Sequence, residues 1–225
     1  MNRRPGELPL ALILAVLLLA SCAPEDSDIA AERELARYQP PIGDPYVPPS
    51  AEHVVRTSTY VLIGTVAAIG PAFNSRRLGE RGELGPDRAE FSIGRIYEVK
   101  VERYLKGSGP NPIRVALHEG TLPGEMEPTE ARIKAARKKF GYNQLEVGSR
   151  YLCLTAFVQH LPELGNLDYY PLGGSPGCFL LRDGMATAVN AAHRTDITAG
   201  GVLFPNDTEE GLVKRMERLI ADTTK

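Results

Sequence analysis

A mainly β fold, closed as a small barrel and carrying two short helices, is what this 225-residue chain predicts. Three observations carry the prediction. Six short runs have strand composition, two segments show a helical apolar stripe, and 22 glycines with 18 prolines interrupt the chain too often for long helices. The content, 43% apolar and 24% charged, is that of an ordinary globular protein. With Lys+Arg 26 against Asp+Glu 28 the formal charge is -2, so the chain lacks the basic field of a nucleic-acid binder, and no nucleic acid partner is expected.

Residues 1–22 predict an export signal. Arg3 and Arg4 give a positive start, and the apolar run from Leu8 to Ala20 is too short to span a bilayer comfortably. It ends in Leu19-Ala20-Ser21-Cys22, which resembles the lipobox of bacterial lipoproteins. The resemblance implies cleavage before Cys22 and lipidation of its thiol with palmitate-type acyl chains. Each buried methylene contributes about 0.8 kcal/mol, so two or three chains anchor stably. The location implied is extracytoplasmic, on the bacterial cell membrane or outer membrane; Ala23, rather than Asp, after the cysteine is compatible with the latter. The mature chain keeps 24 basic and 27 acidic residues.

Residues 23–50 hold six prolines, at 24, 40, 41, 45, 48 and 49, and predict a flexible Pro-rich tether with room for a short helical turn near Ala30 to Ala36. A barrel domain is expected over 51–205. Its strands are Tyr60 to Val66, Arg95 to Glu102, Ile113 to His118, Arg150 to Phe157, Cys178 to Arg182 and Ala186 to Asn190. Asn74 to Arg88 lacks an apolar period and predicts a loop, and Asp183-Gly184 predicts a two-residue hairpin turn. Thr129 to Phe140 predicts a helix, because Thr129 can cap it and Ile133, Ala136 and Phe140 share a face. Its basic residues, Arg132, Lys134, Arg137, Lys138 and Lys139, suit anionic lipid headgroups or a solvated face. Residues 206–225 predict an amphipathic helix packed on the barrel, starting near Asn206 or Asp207, with Leu212, Val213, Met216, Leu219 and Ile220 as its stripe.

Cys153 and Cys178 fall in neighbouring strand runs of an exported chain, where two states are open: a disulfide, or two buried thiols packing as small apolar groups.

The order Tyr60-Val-Leu-Ile-Gly-Thr-Val66, then Tyr97-Glu-Val-Lys-Val-Glu-Arg-Tyr-Leu-Lys-Gly107, then Glu146-Val-Gly-Ser-Arg-Tyr-Leu152 resembles bacterial exported domains related to the netrin/TIMP-like OB barrel. Over residues 54 to 190 the resemblance implies an OB-like barrel. It does not imply metalloproteinase inhibition, because that mechanism uses a free N-terminal cysteine and Cys22 would be acylated.

Catalytic signatures are weak. Gly173-Gly174-Ser175-Pro176-Gly177 has the letters of a nucleophile elbow, but Pro176 has no N–H to give an oxyanion hole, so a turn is expected. His53, His118, His160 and His193 occur singly, without metal-ligand spacing, and no metal or cofactor is expected. The leading expectation is a non-enzymatic envelope module that binds a protein or glycan through loops at 70–92 and 159–176, with Arg76, Arg77, Tyr169 and Tyr170 as the contact residues. The alternatives are an extracytoplasmic hydrolase assembled from dispersed residues such as His118, Glu119, His160 and Asp168, and a structural spacer of the envelope.

Overall fold

The computed structural model describes residues 27–37, 50–75, 90–124, 126–156, 170–171, 177–189 and 207–223. In chain order these form α1 (Ser27–Leu35), α2 (Ala51–Thr57), β1 (Tyr60–Asn74), β2 (Glu90–Lys106), β3 (Ile113–Pro123), α3 (Glu130–Phe140), β4 (Arg150–Thr155), β5 (Tyr170–Pro171), β6 (Cys178–Arg182), β7 (Met185–Ala188), β8 (Asp207–Thr208) and α4 (Glu209–Thr223). All strands join one sheet in the order β5-β3-β2-β1-β4-β6-β7-β8. Every pairing is antiparallel except β3–β5, which is parallel. The fold is thus mainly β. Among the described residues the two ends of the sheet, β5 and β8, do not pair, so the sheet is not closed within them.

Both faces of the central strands are apolar, and strand alternation sorts their side chains into two cores. On one face Leu62, Val66, Tyr97, Val99, Val101, Ile113, Val115, Tyr151 and Cys153 pack together. On the other, Val61, Ile63, Leu152, Leu154, Phe179 and Leu181 meet Val54 and Val55 of α2 and Leu212 and Met216 of α4. Each such side chain, fully buried, contributes about 1.5–3 kcal/mol. A third core lies under α1 and α3, where Ala31, Leu35, Ile133 and Ala136 cover Ile93 and Leu122.

The turns follow from their residues. Asp183 and Gly184 have φ of 52° and 74°, the pair of positive angles that a type I′ hairpin between β6 and β7 requires. Gly107, with φ 72°, lies under the Tyr60 ring, where a Cβ would come within 2.7 Å of a ring carbon. β1 runs eight residues past the predicted end at Val66, crossing Gly70-Pro71 at a register shift against β2. A bulge on a strand flank tolerates a proline that cannot donate.

Three expectations are refined. The helical turn expected near Ala30 to Ala36 is a longer helix, α1, whose Ala31 and Leu35 are buried, because its apolar positions find a seat on α3. Thr129 does cap α3, but that helix's basic face is not a bare surface: α1 lies against it. The last helix starts slightly later than expected, capped at Thr208, whose Oγ1 accepts from the Gly211 N–H at 3.0 Å, while Asp207 Oδ1 accepts from the Thr208 N–H at 2.7 Å; Asn206 lies outside the described residues.

Candidate functional site

Among the described residues the most deeply buried charge is the carboxylate of Glu119, fully shielded on β3. Arg95 of β2 donates to its Oε2 at 3.0 Å and Arg137 of α3 at 2.9 Å, while the Tyr97 hydroxyl donates to Oε1. Arg95 also forks onto both oxygens of Glu130, at 3.0 Å each. Burial, then the adjacent Glu119 charge, pushes the Tyr97 hydroxyl far above its ordinary pKa, so it stays a neutral donor. Each charge is paired and hydrogen-bonded, which is the condition for keeping ions in a low-dielectric interior. The cluster ties α3 to the sheet.

His118 stands next to Glu119 in sequence but belongs to a different set of contacts. Its Nδ1 lies 3.2 Å from Ser92 Oγ, and its ring meets Tyr142 edge-on with centroids 5.0 Å apart. Ser92 is held in turn by Asn74, which accepts from its N–H at 3.1 Å, and by Ser75, whose hydroxyl lies 3.0 Å from Ser92 Oγ. The dispersed pair His118 and Glu119 is therefore not brought together: each engages other partners. Asn74, Ser75 and Ser92 instead pin the end of β1 to the start of β2.

Lys106 completes the other end of β2. Its Nζ donates to the carbonyls of Val55, Arg56 and Ser58 at 2.7, 2.9 and 2.6 Å, closing the C-terminal end of α2. A cation there satisfies orphan carbonyls and complements the helix dipole. Burial holds the Lys106 ammonium below its ordinary pKa. The Lys-Gly pair at 106–107 thus has a structural purpose.

An open groove of about 810 Å³ runs between the sheet and the start of α4, lined by Ile63, Glu102, Arg103, Arg150, Glu209 and Val213 among others. Arg150 bridges two of its carboxylates, Glu102 at 2.7 Å and Glu209 at 2.6 Å, and Thr65 donates to Glu102 at 2.9 Å. Against the upward push of burial, the hydrogen bonds from Arg150 and Thr65 hold the Glu102 carboxyl below its ordinary pKa.

Cys153 and Cys178 are Cα partners across β4 and β6, buried and unbonded, with their sulfurs 3.5 Å apart. Burial raises the Cys178 thiol well above its ordinary pKa. Of the other predicted residues, Cys22, Arg76, Arg77, His160, Asp168, Tyr169 and Ser175 lie outside the described residues, and Tyr170 is placed by its backbone alone, opposite Val115. Among the described residues no group of three or more His, Cys, Asp or Glu is arranged to hold a metal, and no helix is long and apolar enough to cross a membrane. Sequence reasoning missed the Arg95–Glu119–Arg137 cluster and the Lys106 cap. Arg95 did carry a signal, since it has the parity of Tyr97, Val99 and Val101, the inward face of its strand. In comparisons with known proteins, no family model and no curated protein matches the chain.

Proposed function

We propose that the protein is an exported lipoprotein of the bacterial envelope, anchored through acylated Cys22, that binds a protein or glycan partner without catalysing a reaction. The observation that carries this reading is the employment of its buried and half-buried charges. Glu119, Arg95, Arg137 and Lys106 each hold one element of the fold to another, leaving contact to the two segments that the sequence predicts as loops. The first of these, with Arg76 and Arg77, is flanked by the Asn74–Ser92 lock, and the second, with Tyr169 and Tyr170, joins β4 to β5. The same employment takes Glu119, one of the residues named for the hydrolase alternative, into a structural role.

An OB-like barrel is the form we assign to the sheet. Its support is that β5 pairs in parallel with β3 while β6, after six intervening residues, pairs with β4, so that one stretch of chain reaches both flanks of the β3-β2-β1-β4 array. α3 lies between β3 and β4 in sequence and packs against the sheet.

Two measurements test the reading. Cells fed labelled palmitate should label the protein, and Cys22→Ala should abolish both the label and membrane association. Crosslinking in intact cells should capture a discrete partner that is lost when residues 76–88 are replaced by a Gly-Ser segment. Label without any specific capture in either form would overturn the binding function.

A further inference from the structure

The contact between α1 and α3 is built from matched charge. Asp28 and Glu32, one turn apart, pair with Lys134 and Lys138, also one turn apart; the second pair measures 2.7 Å. Glu34 takes Arg132 in a fork, at 2.9 and 3.0 Å. Lys139 donates to the Leu35 and Ala36 carbonyls and closes the end of α1. Between these rails Ala31 and Leu35 sit on Ala135 and Ala136. A nine-residue helix is marginal alone, so α1 exists by virtue of this seat.

Docking of α1 alters the geometry of the anchor. A tether of 28 residues would let the domain rotate freely. With α1 seated, five Cα steps separate Cys22 from Ser27, and at no more than about 3.6 Å each they reach about 18 Å. The α1–α3 flank is thereby confined near the headgroups. Charge agrees with this placement. Residues 23–37 and 130–140, the end that the anchor holds, carry seven basic and six acidic residues, net +1, whereas the rest of the mature chain holds 17 basic and 21 acidic, net -4. The positive end of an acidic molecule is the end that the anchor holds down. Arg132, Lys134 and Lys138 are shared with carboxylates of α1, so the flank's surplus is carried by its whole surface rather than by one binding pocket.

We propose that the α1–α3 flank is the membrane-facing surface of the protein, held against anionic lipid headgroups and oriented by the charge latch between the two helices. The inference rests on the lipid-anchor reading. An anionic leaflet attracts such a surface within a Debye length, about 8–10 Å at physiological ionic strength.

The test uses the full mature lipoprotein, extracted from membranes with its acyl mass verified, in vesicles of phosphatidylcholine and phosphatidylglycerol carrying headgroup spin labels. A fluorophore is placed at Arg37→Cys on the flank or at Met185→Cys, exposed on β7 away from it. Quenching should be severalfold stronger at 37 than at 185, and the contrast should shrink in pure phosphatidylcholine and at high salt. K134E/K138E should reduce it, and D28K/E32K added to that pair should restore it. Equal quenching at the two positions of the acylated wild-type chain would overturn the surface assignment alone. A chain without acyl mass would overturn the anchor reading, and this inference with it.

Discussion

Replacing Glu119 by Gln keeps the shape of the side chain and removes the one charge around which β2, β3 and α3 meet. The carboxylate is fully shielded, and the side chains of Arg95 and Arg137 are 5% and 13% exposed. Glu130 remains forked onto Arg95, but the described ion pair of Arg137 is with Glu119, so one cation is left facing an amide in a poorly solvated space. Breaking a buried pair from one side costs about 3–5 kcal/mol. At about 2–4 °C per kcal/mol for a domain of this size, the melting temperature should fall by about 6–20 °C. Urea unfolding followed by circular dichroism measures the first quantity and differential scanning calorimetry the second. Glu130→Gln is the control, since its side chain is 71% exposed. It should cost less than about 1 kcal/mol. Adding Arg137→Met to Glu119→Gln should return part of the loss by removing the stranded cation. A loss below about 1 kcal/mol for Glu119→Gln would refute the view that this cluster locks the helix to the sheet.

Other outcomes follow from the same contacts. Lys106→Met strips three carbonyls at the end of α2 of a charged donor and should destabilise by about 1.5–3 kcal/mol in urea unfolding. Intact mass of chain isolated from the envelope separates the two buried thiols described here from a Cys153–Cys178 bridge, which would lower it by about 2 Da; by the chain-entropy model a bridge would add about 3.5 kcal/mol. Chain made without residues 1–22 and kept reduced should resist alkylation of both thiols until denatured, because they are buried and the Cys178 thiol is pushed up by burial. Glu102 has a folded pKa below its ordinary value of 4.5, so the unfolded chain binds its proton first as pH falls. Its contribution is complete above pH 4.5 and is lost as pH drops below that through the folded pKa. Glu102→Gln should therefore flatten the acid limb of a stability–pH curve by less than about 1 kcal/mol, given a half-exposed site.

Much of the β structure was legible because its signals are local. The β6–β7 hairpin was visible in Asp183-Gly184, and α3 in its Thr129 cap and in Ile133 and Ala136, which both end up in the core it covers. α2 carries a local signal that the sequence reading leaves out, Ser50 as its cap and Glu52 in its first turn. β1 runs beyond the expected end at Val66 because a bulge on the strand flank absorbs Gly70-Pro71. Closure is a property of strand ends far apart in sequence, and alternation within single strands carries no information on it. The Glu119 cluster joins residues 18 to 24 positions apart, so only the inward parity of Arg95 hinted at it. α1 was half visible, as a helical turn, but its docking depends on charge matching across roughly 100 residues.

The most direct test of the binding function is site-specific photo-crosslinking in intact cells, with a photoreactive residue at Arg77 or Tyr169 and a framework control at Lys100, exposed on β2. The reading predicts one discrete crosslinked product from the loop positions and none from Lys100. Equal, diffuse products from all three positions, or none from either loop, would contradict it.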